Sequence, residues 1–451
     1  MKLRRLPEDF GVVEHLTPGT LARIRTTASA TDGGAGAAGE RRELHAIYRL
    51  TKRQLTTPEA SVMLARAMTL KASAVEHAGL KDKHAVTTQH VSVHWEDAGA
   101  AAPDAPRELR SERDGAWGAT LVGWLDRPLA AADIERNQFT LVVRSLDRRD
   151  CDLLAARANS LDDDGECWLA NYFGDQRFGS ARHGEGFAAA AMCHGDFLLA
   201  FRLLAGSPAR KDTGRKRETT RLIASAWGPP DATPGPAASP HGGPPEPPAG
   251  AVWASIARKL PPSPERRAVE RLARDNNALA ALGELSQSDL TMSVEAFQSY
   301  LWNQTLRSLV ASAAPSHARV DVQTDYGPCA FPIATADDRR WTTAARELRT
   351  ISLPVPAATT ALSPPWAPHL LDALKPFNLR PDQLRIEQLR RPRFNEAARP
   401  AFVRVEDLAF GPPANDELAP KRSTKPLKRT VSFSLPRGAY ATVLMRALGC
   451  E

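Results

Sequence analysis

Four stretches of the chain alternate apolar and polar residues with the period of a strand. Leu44, Ala46, Tyr48 and Leu50 fall on one face of the run from Glu43 to Leu50. Val91 and Val93 alternate with Ser92 and His94, as on a strand buried on one side. Asn137, Phe139, Leu141 and Val143 share a face, and so do Val431, Phe433 and Leu435. Between them the period lengthens to that of a helix. Val62, Ala65 and Met68 recur at helical spacing behind Thr57 as N-cap and Pro58 as first helical residue. A second helix is predicted from Met292, with Ser293 as N-cap and Phe297, Leu301 and Leu309 as its stripe, and a last one over Val443–Leu448. Leu3 to Glu14 reads as an extended entry into a first strand.

Loops punctuate this order. Residues 29–40 are mostly Ala, Gly, Ser and Thr, and residues 97–106 are mostly Ala and Pro. Residues 228–250 hold nine prolines and five glycines, which predicts a loop without stable secondary structure, dispensable for chemistry. Residues 353–368 are proline-rich again.

Composition narrows the class. At 451 residues with 42% hydrophobic content the chain has material for two globular domains. Fifty-nine Lys and Arg against 52 Asp and Glu give +7, an excess that suits a polyanionic partner. Arg210, Lys211, Arg215, Lys216, Arg217 and Arg221 form one basic cluster, and Arg385, Arg390, Arg391 and Arg393 another. Five scattered cysteines without Cys-x-x-Cys spacing argue against a disulfide framework or a thiolate zinc site. His77, His84, His90 and His94 crowd one region, but their spacing does not place three on one helix face, so no metal is expected. The first residues are charged, no apolar signal core is present and no run reaches membrane-spanning length; a cytoplasmic protein is expected.

The densest chemistry is the Gly-led polar loop Gly79 to Thr87, between the first predicted helix and the strand of Val91 and Val93. It presents one carboxylate, Asp82, between Lys81 and Lys83. A helix–loop–strand junction is a usual place to hold a reactive side chain on a rigid frame. For an arbitrary Lys-Asp-Lys, the plain reading is a solvated turn with weak surface pairs. Here the whole run Ala78-Gly79-Leu80-Lys81-Asp82-Lys83-His84-Ala85-Val86-Thr87-x-Gln89 resembles the signature of the TruD-type tRNA pseudouridine synthases.

The resemblance implies that Asp82 is the catalytic aspartate. Pro7-Glu8-Asp9-Phe10 followed by Val12-x-Glu14 is similar to the family's opening segment, which implies Phe10 in the uridine pocket and a basic residue, here Arg4, near the aspartate. Arg4 stands where lysine is common and keeps a fixed positive charge. Arg136-Asn137-Gln138-Phe139 is similar to the family's Gly-Asn-x-Phe, with Arg136 in place of the glycine; Asn137 and Phe139 are the implied contacts to the base. Leu435-Pro436-x-Gly438-x-Tyr440-Ala441-Thr442 is similar to the segment that closes the family's catalytic domain, and implies Tyr440 in the pocket. Asn171 to Gly179 is a further dense match, either a buried hinge or an RNA contact, and Gln298 to Asn303 matches a block that reads as structural.

The implied fold is α+β, a pseudouridine-synthase core with a mixed or antiparallel sheet, interrupted by an inserted α/β TRUD-type domain. The expected division is residues 1–167 and 405–451 for the core and 168–404 for the insertion. The implied reaction isomerises a uridine of tRNA, uridine 13 in the D arm. It needs no cofactor and no metal, only a carboxylate at the sugar and a pocket that retains the detached uracil. Phe10, Phe139 and Tyr440 are expected to sandwich the base, and Asp82 to act as nucleophile at C1′ or base at C2′. The expected partner is tRNA, with the protein acting as a monomer and with no membrane. A non-catalytic tRNA-binding protein or RNA chaperone on the same scaffold is the alternative. A nucleosidase is a third reading, disfavoured because no water-activating second carboxylate or metal is suggested.

Overall fold

The computed structural model describes residues 1–26, 45–94, 105–111, 115–163, 165–181, 183–208, 212–228, 248–333 and 339–450. Leu44, the loops at 29–40 and 228–250 for the most part, and Arg210 and Lys211 therefore lie outside the described residues. The chain forms two compact units, Met1–Leu169 with Val403–Glu451, and Ala170–Phe402.

The first unit is organised on a mixed sheet, twelve-stranded among the described residues. Its strands are β1 (Phe10–Leu16), β2 (His45–Arg53), β3 (Val75–His77), β4 (Val86–His94), β5 (Glu108–Arg110), β6 (Trp117–Leu125) and β7 (Ile134–Leu146), joined late in the chain by Phe402–Phe410 and Leu427–Pro436 among others. β1 lies at the centre, parallel to β4 and antiparallel to β7. β7 is in turn antiparallel to the Leu427–Pro436 strand, so the two ends of the chain meet on one sheet.

Register aligns the pattern seen in the sequence. Phe10, Val12 and Glu14 stand opposite Leu141, Phe139 and Asn137, and these stand opposite Val431, Phe433 and Leu435. Residues directly opposite one another share a face, so Glu14, Asn137 and three phenylalanines line a single surface.

The helix Thr57–Ala67 packs Ala60, Leu64 and Ala65 against Ala46, Tyr48, Leu50, Val91 and Val93. Its N-cap is Thr56, one residue before the predicted Thr57: the Thr56 hydroxyl accepts from Glu59 N–H while Glu59 reaches back to Thr56 N–H. The Thr57 side chain is thereby free for another task, described below. β4 also departs from expectation. It is flanked by β1 and β2 and covered on both faces, so Ser92 is as buried as Val91 and Val93. Its hydroxyl is satisfied by Leu129 N–H, which makes burial tolerable.

The second unit is built largely from helices around Gln287–Ala313. That helix begins at the Ser286 cap, nearly two turns before the predicted Ser293. Ser293 is an interior residue whose hydroxyl donates to the Leu290 carbonyl three residues back, which satisfies a polar group inside a helix. The segment Asn171–Gly179 is wired into this unit. Tyr172 is fully buried with its hydroxyl donating to the Ala330 carbonyl, Phe173 N–H donates to Asn303 Oδ1, and the Phe178 ring stacks on Tyr326 at 4.2 Å. Gln298 donates to the carbonyls of Pro356 and Asn395. Both segments therefore make structural contacts here. The last helix runs Ala441–Ala447, two residues earlier than predicted at its start.

Among the described residues no helix is long and apolar enough to cross a membrane. None of the five cysteines forms a disulfide.

Candidate active site

Asp82 sits on the loop between β3 and β4, its side chain 14% exposed. One carboxylate oxygen lies 2.9 Å from the Arg4 guanidinium, and the other accepts His84 N–H at 3.1 Å. Arg4 in turn lies over the face of Phe10, 4.2 Å from the ring centroid. Its backbone has φ of 62°, a left-handed conformation that a non-glycine residue adopts only where its surroundings hold it there. What holds it is the next turn: buried Asp9 accepts the N–H groups of Arg5 and Leu6, and Arg144 donates to Asp9 from β7. Arg144 is itself buried and also donates to Asp416 and Glu417, so one guanidinium ties the start of the chain to its end. Its pKa is raised, chiefly by the Asp9 carboxylate.

The two lysines beside Asp82 each pair with another carboxylate. Lys81 pairs with Glu14 at 2.6 Å, and Lys83 pairs with Glu59 at 3.3 Å. Glu14 is buried and also accepts from the His90 backbone N–H at 2.8 Å, with the His90 ring at 3.3 Å. Burial pushes the Glu14 carboxyl up, but His90 and Lys81 outweigh it and hold the group below the usual range. Arg4 is thus a counter-charge in contact with Asp82.

The loop is braced along its length. Thr57 accepts from Lys81 N–H at 3.0 Å and donates to Gln89 Oε1, while Gln89 donates to the Gly79 carbonyl at 3.3 Å. From β2, the ammonium of fully buried Lys52 donates to the carbonyls of Leu55 at 2.8 Å and Asp82 at 2.9 Å. Thr57 and Lys52 lie outside the motifs, and Gln89 and Glu14 lie inside them without an assigned role, yet two of the four carry a readable signal. Lys52 continues the alternation of Ala46, Tyr48 and Leu50, and Glu14 that of Phe10 and Val12. A charge in phase with an apolar face is a buried charge, and a buried charge is paired.

Phe10 and Phe139 meet edge to face at 6.2 Å, and Phe139 stacks on Phe433 at 5.3 Å. Phe433, which the sequence reading placed only in a strand, thus joins the aromatic set and covers one side of Phe139. Asn137 lies on the same surface beside Glu14, and its Oδ1 is enclosed without a hydrogen-bond partner. Tyr440 is half-buried at the N-cap of the last helix, four residues after Pro436, which pairs with Arg136. Arg136 pairs with Glu406 at 3.2 Å. Of the four histidines, His90 bonds Glu14 and His94 lies against the His45 ring at 5.1 Å. In the second unit Arg215 and Lys216 line a cleft of about 420 Å³ together with Asp212, Glu265 and Asp289, and Arg385, Arg390, Arg391 and Arg393 are exposed.

The mixed sheet with its covering helices is the α+β fold of a pseudouridine synthase. The family described as tRNA pseudouridine synthase D (TruD) matches residues 1–232 and 251–448, and the chain belongs to it. It is similar to a probable tRNA pseudouridine synthase D 2 of Methanocaldococcus jannaschii, 26% identical, with 99% of this chain and 91% of that protein covered. It is also similar to the tRNA pseudouridine synthase D of Aquifex aeolicus, 25% identical over 90% of this chain and 92% of that one. Among solved structures, a putative tRNA pseudouridine synthase D from Methanosarcina mazei matches the fold with a TM-score of 0.62. It is 21% identical, and the match covers 99% of this chain and 93% of that one.

Proposed function

We propose that this protein isomerises a uridine in tRNA, uridine 13 of the D arm, to pseudouridine, with Asp82 as the catalytic carboxylate. The observation that carries this reading is the Asp82–Arg4 contact at 2.9 Å, with Arg4 laid over Phe10 and the loop held on the sheet that bears Asn137 and Phe139. In the reaction the C1′–N1 bond breaks, the uracil stays bound, and C5 joins C1′ while N1 gains a proton and C5 loses one. Atoms balance without a redox partner. Asp82 acts at the sugar, as nucleophile at C1′ or base at C2′, and Arg4 balances its charge once water is excluded.

The detached uracil is held by stacking and by hydrogen bonding. Aromatic stacking contributes about 1–3 kcal/mol per base, and Phe10, Phe139 and Tyr440 are the residues assigned to it. The open Oδ1 of Asn137 suits the N3–H of uracil. A uridine in folded tRNA must first be flipped out, at a cost of a few kcal/mol, which contacts from exposed arginines to phosphates would offset. The site is assigned to a monomeric, cytoplasmic enzyme.

The test is mapping of pseudouridine in unmodified tRNA transcripts by carbodiimide-induced reverse-transcription stops, with native protein and Asp82→Asn in parallel. The expected result is a stop in the D arm with native protein alone. Binding without any stop would favour a non-catalytic tRNA-binding role, and a stop with both proteins would remove Asp82 from the chemistry.

A further inference from the structure

Lys52 occupies a position where packing alone would favour a hydrocarbon. It is fully buried on β2, in phase with Ala46, Tyr48 and Leu50, and a methionine would fill nearly the same volume. Burying an ammonium is costly unless its donors are met. Here the three donors face three carbonyl oxygens: Leu55 at 2.8 Å, Asp82 at 2.9 Å and Lys81 at 3.4 Å. Two of these belong to the loop that carries the carboxylate. The other braces of that loop, Thr57 and Gln89, are neutral and hold Lys81 N–H and the Gly79 carbonyl. Lys52 is thus the brace that bonds the backbone of Asp82 itself.

We propose that Lys52 is a positioning residue for the isomerisation: by holding the carbonyls of Lys81 and Asp82 it fixes the carboxylate of Asp82 and places a second positive charge beneath the loop. This rests on the proposed pseudouridine-synthase reading. The clamp works only as the ammonium. A neutral amine has two donors and a lone pair, so one carbonyl would face that lone pair and the charge would be gone.

The groups facing Lys52 are Asp82 and Lys81 on the loop and Glu59 on the Thr57–Ala67 helix. Burial pushes the ammonium down to about 8, Asp82 and Glu59 oppose that, and Lys81 adds to it. The clamp is therefore nearly complete at pH 7 and below, and is lost as pH rises through about 8. Turnover at bound RNA falls with it, whereas capture of the RNA, which Lys52 does not touch, is unaffected.

The experiment compares native protein, Lys52→Met, Thr57→Val and Asp82→Asn. It measures single-turnover pseudouridine formation on a tRNA transcript from pH 6.5 to 9.5 over a range of protein concentrations. Hydrogen exchange of residues 79–87 is followed in the same samples. The expected native profile has an alkaline limb near pH 8 at saturation. Lys52→Met is expected to be at least about tenfold slower at pH 7 with half-saturation unchanged, to lack that limb, and to exchange faster in the loop. Thr57→Val, which removes a neutral brace, keeps the limb.

Native-like rate and loop exchange in Lys52→Met would overturn the proposal, and so would a slow variant that keeps the native limb. Should Lys52→Met fail to fold, Lys52→Gln is read by the same two measures: native-like rate and loop exchange overturn the proposal, and a slow rate with faster loop exchange at unchanged half-saturation supports it. A native protein that makes no pseudouridine sinks the catalytic role together with the reading it rests on. Faster loop exchange in Lys52→Met would then leave only the clamp.

Discussion

The ammonium of Lys81 lies 2.6 Å from Glu14 Oε2, so the residue preceding Asp82 is tied to the central strand of the sheet. Glu14 is enclosed and Lys81 nearly so, with side chains 0% and 9% exposed, whereas Lys83 and Glu59 are each almost half exposed. Breaking a buried pair by removing one partner costs about 3–5 kcal/mol, and an exposed pair contributes about 0–1 kcal/mol. Lys81→Met is therefore expected to lower stability by several-fold more than Lys83→Met. Urea denaturation of the two variants checks this, and equal midpoints would show that the Lys81–Glu14 pair carries no special weight.

Arg4 combines two contacts that a lysine cannot both reproduce. Its guanidinium pairs with Asp82 at 2.9 Å and lies over Phe10 at 4.2 Å. An ammonium keeps the charge but loses the planar overlap. Arg4→Ala is expected to slow pseudouridine formation by about a hundredfold at saturating RNA, and Arg4→Lys by about tenfold or less. If Arg4→Ala turns over like the native protein, the counter-charge of Asp82 lies elsewhere.

Acid should loosen the site through Glu14. Its carboxyl is pushed up by burial, but bonds from His90 and the charge of Lys81 hold it below the ordinary value of 4.5. A carboxyl depressed in the folded state gives stability that is present above the unfolded value, about 4.3, and is lost as pH falls through the folded one. The stability gap between native protein and Glu14→Gln should therefore be constant from pH 8 to about 5.5 and narrow below it. A gap that widens on acidification would contradict the depressed carboxyl. Denaturant titrations at pH 7, 5 and 4 measure it.

How much of this was legible in the sequence depended on whether a residue's partner is local. The strands of Tyr48, Val91, Phe139 and Phe433 could be read because alternation is a short-range signal, and the register then aligned Phe10, Phe139 and Phe433. Arg4 beside Asp82 was expected from the resemblance, but the partner of Lys81 was not: the loop turns so that Lys81 reaches Glu14, 67 residues away in the chain. Arg144 is another such case: it joins Asp9 to Asp416 across most of the chain, and nothing in its neighbourhood marks it. Lys52 and Glu14 were legible in principle, as charges in phase with apolar faces. The two misplaced caps, Thr57 for Thr56 and Ser293 for Ser286, arose because hydroxyls also serve helix interiors and tertiary contacts.

Asn137 offers the sharpest separation of stability from activity. Its Oδ1 is enclosed without a hydrogen-bond partner on the surface it shares with Glu14 and Phe139. A buried acceptor left unmet costs about 1–3 kcal/mol, and replacement by an apolar group of similar shape removes that cost. An amide that meets a donor on the uracil would be left in this state in the free protein. Asn137→Leu is accordingly expected to match or exceed the native protein in stability, by up to about 1 kcal/mol, while product formation falls by at least about a hundredfold. Parallel denaturation and carbodiimide mapping decide it. A variant both destabilised and active would mean that the amide serves the sheet, and the assignment of Asn137 to the base would fall.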